Sequence, residues 1–270
     1  MRTQYHRLSR YRRISPRTVK IGLLILGLIL LVDILAARFS AGIQAALTLP
    51  AAHLRLAAPT RMAPPTQLPA VTPTSSLTLP VKSILAQDTF QRANHVLWGI
   101  ASDGQAWGAD AKSSQGFAIV NHTGQVTNSS GVYDAILGPR AANAEIFFSG
   151  SLTHYALSSL GAVLRWTDAN NLYKVFLGGG QLILLKKVAG VVTVLKTVPF
   201  LVQDRMPYTF RFRVIGSLLL GRAWPAAQVE PSTWMLMVTD TDLLSGYGGL
   251  RIVVQSGTTA VITSFMESSL

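Results

Sequence analysis

From Asp88 to the C-terminus, apolar and polar residues trade places at a period of two in segment after segment. In YTFRFRV, Tyr208, Phe210, Phe212 and Val214 fall on one face, while Thr209, Arg211 and Arg213 fall on the other. This is the pattern of a strand with one side against a core. NLYKVFLGGGQLILLKK predicts a hairpin turning at Gly178-Gly179-Gly180, and VVTVLKTVPF predicts the strand after it. AEIFFSGSL, GAVLRWTD, STWMLMVTD, GLRIVVQ and AVITSF bring the count to about twelve strands. No 12-residue amphipathic helix follows residue 85. Short strands separated by turn residues predict an all-β sandwich or barrel.

The first part of the chain has another texture. Seven Lys/Arg precede an apolar run, IGLLILGLILLVDILAA, over Ile21–Ala37. Its 17 residues lie at the short end of a membrane span, and Asp33 sits inside it. An Asp at the centre of a span costs about 2.5–3.5 kcal/mol, whereas twelve Leu, Ile and Val contribute about −4 to −7 kcal/mol, so insertion wins. The expected organisation is a basic cytoplasmic tail over 1–20, a transmembrane signal anchor over 21–40, an Ala/Pro/Thr-rich linker over 41–87, and the β domain over 88–270. The lipid bilayer is the partner expected for residues 21–40. A single-pass cell-membrane protein with a cytoplasmic N-terminus then displays its C-terminal domain outside the cytoplasm. A cleaved signal peptide is the alternative for the same leader and places the domain on the same side. Seven of the 13 prolines fall between Pro50 and Pro80, a density that favours extended polyproline II over helix or sheet.

The formal charge of +12 is unevenly distributed. Residues 1–84 carry 11 Lys/Arg and one acid, leaving residues 85–270 with 13 Lys/Arg against 11 acids. A basic segment beside an apolar helix suits anionic lipid. A nearly neutral domain gives no reason to expect nucleic acid as a partner. The chain has no Cys, which excludes disulfides and thiolate metal sites. Asn121-His122-Thr123 and Asn128-Ser129-Ser130 match the glycosylation sequon and bear on the protein only in a host that glycosylates.

Several blocks resemble one family. They are DTFQR with WGIASDGQAWGAD (Asp88–Asp110), LRWTDANNLYKVFLGGGQLILLKKVAGVVTVL (Leu164–Leu195), and YTFRFRVIGSLLLGRAWP (Tyr208–Pro225) followed by EPSTWMLMVTDTDLLSGYGGLRI. Together they look like a concanavalin A-like (laminin-G-like) jelly roll covering nearly all of 88–270. The resemblance implies a two-sheet antiparallel sandwich and, often, glycan binding at the concave face or rim. It also allows protein ligands and catalysis, so the fold leaves the function open.

Hydrolysis of a glycosidic bond needs two carboxylates about one bond. The hydrolase branch of this family carries them as Glu-x-Asp-x-x-Glu. Here the only Glu residues are Glu145, Glu230 and Glu267, none with another acid within four residues. Serine-elbow, H-E-x-x-H and P-loop motifs are missing too. His95, His122 and His154 are isolated in apparent loops. Asp168 and Asn170 offer hard oxygens in a turn that suits calcium, the one cofactor considered, although Asp and Asn side chains equally bond their own backbone in turns.

Glycan binding needs an aromatic plate and a few planar hydrogen-bonding groups. The candidates are Arg165, Trp166, Asp168, Asn171, Tyr173, Arg211, Arg213, Arg222 and Trp224, with Tyr247 as a further aromatic. Arg forks suit carboxylates. Trp98, Trp107 and Trp234, set among apolar residues, read as core, and Trp166, alternating with Leu164, admits the same reading. The expected function is a membrane-anchored, non-catalytic module for a glycan. The alternatives are a protein–protein interaction module at the cell surface, or a glycoside hydrolase with an acid pair assembled from distant strands.

Overall fold

The structure, a computed structural model, describes residues 82–127 and 130–270. The tail, the apolar run at 21–40 and most of the linker lie outside the described residues, as does the sequon at Asn128. Among the described residues no helix is long and apolar enough to cross a membrane.

Sixteen strands follow one another: β1 Ile84–Asp88, β2 His95–Val96, β3 Gly108–Ala109, β4 Phe117–Val120, β5 Thr123–Val126, β6 Gly131–Ile136, β7 Ala144–Leu152, β8 Ser159–Asp168, β9 Asn171–Gly178, β10 Gln181–Val188, β11 Val191–Pro199, β12 Tyr208–Ile215, β13 Leu218–Pro225, β14 Leu236–Thr239, β15 Tyr247–Val254 and β16 Ala260–Ser269. They exceed the twelve expected because pieces such as β2 and β3, two residues each, are too short to show a period. β1 begins inside the segment read as linker, because it pairs antiparallel with β16.

Every pairing is antiparallel, in two sheets. The nine-stranded sheet runs β14-β13-β12-β7-β16-β5-β4-β2, with β1 also on β16, and the seven-stranded sheet runs β11-β10-β9-β8-β15-β6-β3. The domain is thus an all-β sandwich of two antiparallel sheets.

The alternation read in YTFRFRV is realised on β12. Tyr208, Phe210, Phe212 and Val214 are buried against the other sheet, while Arg211 and Arg213 lean outward. The β9–β10 hairpin pairs Gly178 with Gln181, so Gly179 and Gly180 form a two-residue turn with φ of 57° and 75°. Both central positions of such a turn require positive φ, which glycine adopts without strain. Trp98 and Trp107 are buried as expected, with ring centroids 4.8 Å apart, and Phe90, Phe117 and Phe265 pack around them.

Candidate functional site

The seven-stranded sheet interrupts its alternation at one point on β8. Up to Leu164 the strand pairs regularly with β9, but the next pair is Asp168 with Asn171, a bulge. Arg165 takes φ of 51° there. A bulge of this kind changes which face the following side chains occupy. Trp166 emerges on the outer face of the sheet, opposite Tyr247 of β15, with ring centroids 6.4 Å apart and planes inclined by 61°.

The two rings are half-buried and line a hollow of about 250 Å³ together with Ala106, Gly108, Ala109, Ile136 and Gly138. Trp166 Nε1 donates to Asp134 Oδ2 at 3.1 Å, which fixes the indole. Arg251 Nη1 donates to both oxygens of Asp134, at 3.1 and 3.3 Å. Burial pushes the Asp134 carboxyl above the ordinary range, with Arg251 opposing the shift. Farther along the face, Lys174 lies over the Phe176 ring at 4.1 Å, beside an apolar patch of Val163, Phe176, Ile183 and Leu185.

Arg165, expected on the surface, is 4% exposed. It donates four hydrogen bonds to three carbonyls: Ala142 O from Nε (3.0 Å) and Nη2 (2.8 Å), Leu243 O from Nη1 (2.5 Å), and Gly216 O from Nη2 (2.6 Å). Burial lowers its pKa from the usual arginine value, but the carbonyls take up its donors. Arg165 is therefore a clamp beneath the rim and not a contact for a ligand. Beside it, Ala141 and Gly246 exchange backbone hydrogen bonds of 2.8 and 3.1 Å, which hold Arg140 over the Tyr247 ring at 5.7 Å.

The turn beyond the bulge holds Asp168, Asn170 and Asn171. Asp168 Oδ1 accepts from Asn170 N at 2.7 Å, and both of its oxygens accept from Asn171 Nδ2 at 3.0–3.1 Å. Asn171 Oδ1 in turn accepts from Ala189 N at 2.9 Å. These are turn-forming bonds, and a calcium ion there would have to displace N–H donors from the carboxylate. Among the described residues no cluster of three acidic or histidine side chains stands ready to hold a metal. Tyr173 is fully buried, and its hydroxyl donates to Asp240 Oδ1 at 2.5 Å.

The remaining candidates meet on the outer face of the nine-stranded sheet. Glu145 of β7, 1% exposed, accepts from Arg211 Nη1 (2.5 Å), Arg213 Nε (2.6 Å) and Lys82 Nζ (2.7 Å). These cations hold its carboxyl below the usual range even though burial acts the other way. Glu230 accepts from Arg211 Nε and Nη2 at 2.6 and 2.9 Å and also pairs with Arg222. Trp234, which read as core, is half-buried on this face under Arg222 and Arg213, at 4.3 and 5.3 Å. It lies in the loop before β14, where apolar neighbours such as Leu236 turn inward without it. Trp224 is 5% exposed and packs on Phe147 at 5.9 Å. Arg211, Arg213 and Arg222 thus come together, but their forks already hold carboxylates.

The two rings of the hollow are contacted by residues that sequence alternation did not single out: Asp134, itself held by Arg251, on Trp166, and Arg140 on Tyr247. Asp134 and Arg251 face each other across β6 and β15, 117 residues apart, and no local pattern links them.

No family model and no curated protein matches the chain. Solved structures do match. LamAcat from Zobellia galactanivorans aligns with a TM-score of 0.50 and 7% identity, over 70% of this chain and 98% of that one. The carbohydrate binding module CBM66 from Bacillus subtilis gives 0.47 and 13%, over 58% and 91%. The GH43 BlXynB protein from Bacillus licheniformis gives 0.48 and 10%, over 68% of this chain but 39% of that one. At these identities the likeness concerns the fold alone.

Proposed function

We propose that the chain is a non-catalytic carbohydrate-binding module, tethered to the membrane through residues 21–40 and working outside the cytoplasm. One observation carries the binding site: two half-exposed aromatic rings, Trp166 and Tyr247, line a hollow of about 250 Å³, with the indole held in place by buried Asp134. Aromatic faces stack on the C–H faces of sugars, and a few oriented polar groups select among hydroxyls. The acids nearby favour binding over hydrolysis. Asp134 is tied to Arg251 and Trp166, and the Glu267 carboxyl is enclosed behind Gly138. A hydrolase needs one ionised and one protonated carboxyl, both facing the scissile bond. The tether rests on the basic tail and apolar run, and many copies held on one surface would add avidity.

A glycan array probed with the full-length protein in detergent tests the site. The wild type is expected to bind a subset of glycans, and Trp166→Ala to lose about tenfold or more in affinity while retaining a cooperative melt. Binding that survives Trp166→Ala unchanged would remove the hollow from the function. Protease treatment of intact cells should cut the domain and spare residues 1–20; protection of the domain would overturn the topology.

A further inference from the structure

We propose that the hollow takes an acidic sugar, a hexuronate or another residue bearing a carboxylate, and that Arg140 receives that carboxylate at the rim. The inference rests on reading the hollow as the glycan site. It starts from the difference between Arg140 and most other arginines of the domain. Arg211, Arg213 and Arg222 each hold a carboxylate, Arg92 holds Asp88, Arg251 holds Asp134, and Arg165 is held by carbonyls; Arg205 is exposed as Arg140 is, but Arg140 lies over a ring that lines the hollow. Arg140 is exposed, and among the described residues its one hydrogen bond runs from Nη2 to Ser245 O at 3.4 Å. That contact is long and leaves the other N–H groups of the fork available. No carboxylate among the described residues lies within ion-pair distance of it.

The backbone that carries it is nevertheless held. The backbone on its C-terminal side is held by the reciprocal Ala141–Gly246 bonds and by Arg165 on Ala142 O. The guanidinium lies 5.7 Å from the Tyr247 ring centre, a ring that lines the hollow. A pyranose stacked on Tyr247 and Trp166 would present substituents at its edge, within reach of a fork that binds carboxylate in two parallel hydrogen bonds. Of the acids around the hollow, Asp134 is paired with Arg251, the Glu267 carboxyl is enclosed behind Gly138, and Asp110, next to the lining residue Ala109, spends its Oδ2 on the Asp134 N–H at 2.8 Å. Burial also pushes the Glu267 carboxyl up to about 8, so that it carries little charge at neutral pH.

The test compares polygalacturonate, alginate and a sialylated glycan with their methyl esters, which keep each backbone and remove its charge. The full-length protein is expected to bind at least one free acid about tenfold more tightly than its ester, with affinity falling as salt rises. Arg140→Gln should abolish that preference and leave weak, salt-independent binding. Arg213→Gln, on the opposite face, should leave the preference for the acid over its ester unchanged. Trp166-dependent binding of neutral glycans or esters that equals or exceeds binding of the acids would overturn the proposal and leave the site reading intact. An unchanged preference in Arg140→Gln would do the same. If no glycan binds in a Trp166-dependent way, the site reading itself fails.

Discussion

The nine-stranded and the seven-stranded sheet each turn one face away from their common core, and the two faces are furnished in opposite ways. On the first, Arg211, Arg213 and Arg222 meet Glu145 and Glu230, and Trp234 lies beneath two of the guanidinium groups. Donors and acceptors there close on one another, the buried Arg222 Nε excepted. On the second, a bulge turns Trp166 outward beside Tyr247, and the hollow between them remains open with Arg140 at its rim. A face rich in arginine and tryptophan is therefore a structural network, and the face built from fewer charged groups has room for a ligand. What distinguishes them is whether each polar group already has its partner, which composition does not reveal.

The comparison is sharpest at two glutamates on neighbouring strands. In the β7–β16 register Ile146 faces Glu267, so Glu145 and Glu267 are nearly adjacent yet point to opposite sides of the sheet. Glu145 meets three cations outside. Glu267 points inward, fully buried, with neither oxygen hydrogen-bonded. Gly248 and Gly138 make room for it: a Cβ on Gly248 would lie 2.4 Å from its carboxyl, and one on Gly138 3.3 Å from Oε2. Burial pushes its pKa up to about 8.

The largest predicted effect follows from that burial. Folded, Glu267 keeps its proton to about pH 8; unfolded, it releases it near pH 4.5. The Glu267 contribution to stability is thus fully present below pH 4.5 and falls as pH rises to about 8, by up to about 1.4 kcal/mol per unit. Asp134, also shifted upward, adds slope of the same sign. Glu267→Gln should remove most of the slope measured by urea denaturation between pH 5 and 8. The slope is the proper readout, because a buried amide would lack partners too and lower stability at every pH. A variant with the wild-type slope would show that Glu267 reaches water.

Next comes Glu145→Gln. It leaves Arg211, Arg213 and Lys82 without their shared anion. Breaking a buried pair costs about 3–5 kcal/mol, and the lower end applies because the cations keep contact with water. The sign with pH is opposite to that of Glu267. A lowered carboxyl supplies stability above pH 4.5 that is lost on acidification, and the variant should lose that acid sensitivity. Glycan affinity should stay at the wild-type value. A change in affinity without a change in stability would transfer the binding site to this face and break the comparison.

Much of this architecture was legible in the chain. Alternation in YTFRFRV placed four side chains inward and two arginines outward, and consecutive glycines marked the β9–β10 turn. Trp98 and Trp107 were recognisable as core. The site was less legible for two physical reasons. Alternation tells which face a residue occupies only while the ladder is regular, and the bulge after Leu164 reverses it, sending Arg165 inward and Trp166 outward. Partnering depends on residues far apart in sequence: Glu145 and Arg213 are 68 positions apart, Arg165 and Leu243 78. Nothing local in Arg213 or Arg140 says that one fork is occupied and the other free.

The smallest predicted effect concerns the β8–β9 turn, two residues beyond Trp166. Asp168 there receives donors from Asn170 and Asn171, so Asp168→Ala should cost about 1 kcal/mol, the value of a turn-forming hydrogen-bond set on the surface. Chelation by EDTA should leave the wild-type melting temperature unchanged, because a cation would have to evict N–H groups already on the carboxylate. If calcium instead raises that temperature, and Asp168→Ala abolishes the increase, the turn reorganises around a cation. The seven-stranded face would then gain positive charge near its hollow. Affinity for carboxylate-bearing glycans should rise with calcium in that case, and the contrast between a closed face and an open, anion-seeking one would become stronger.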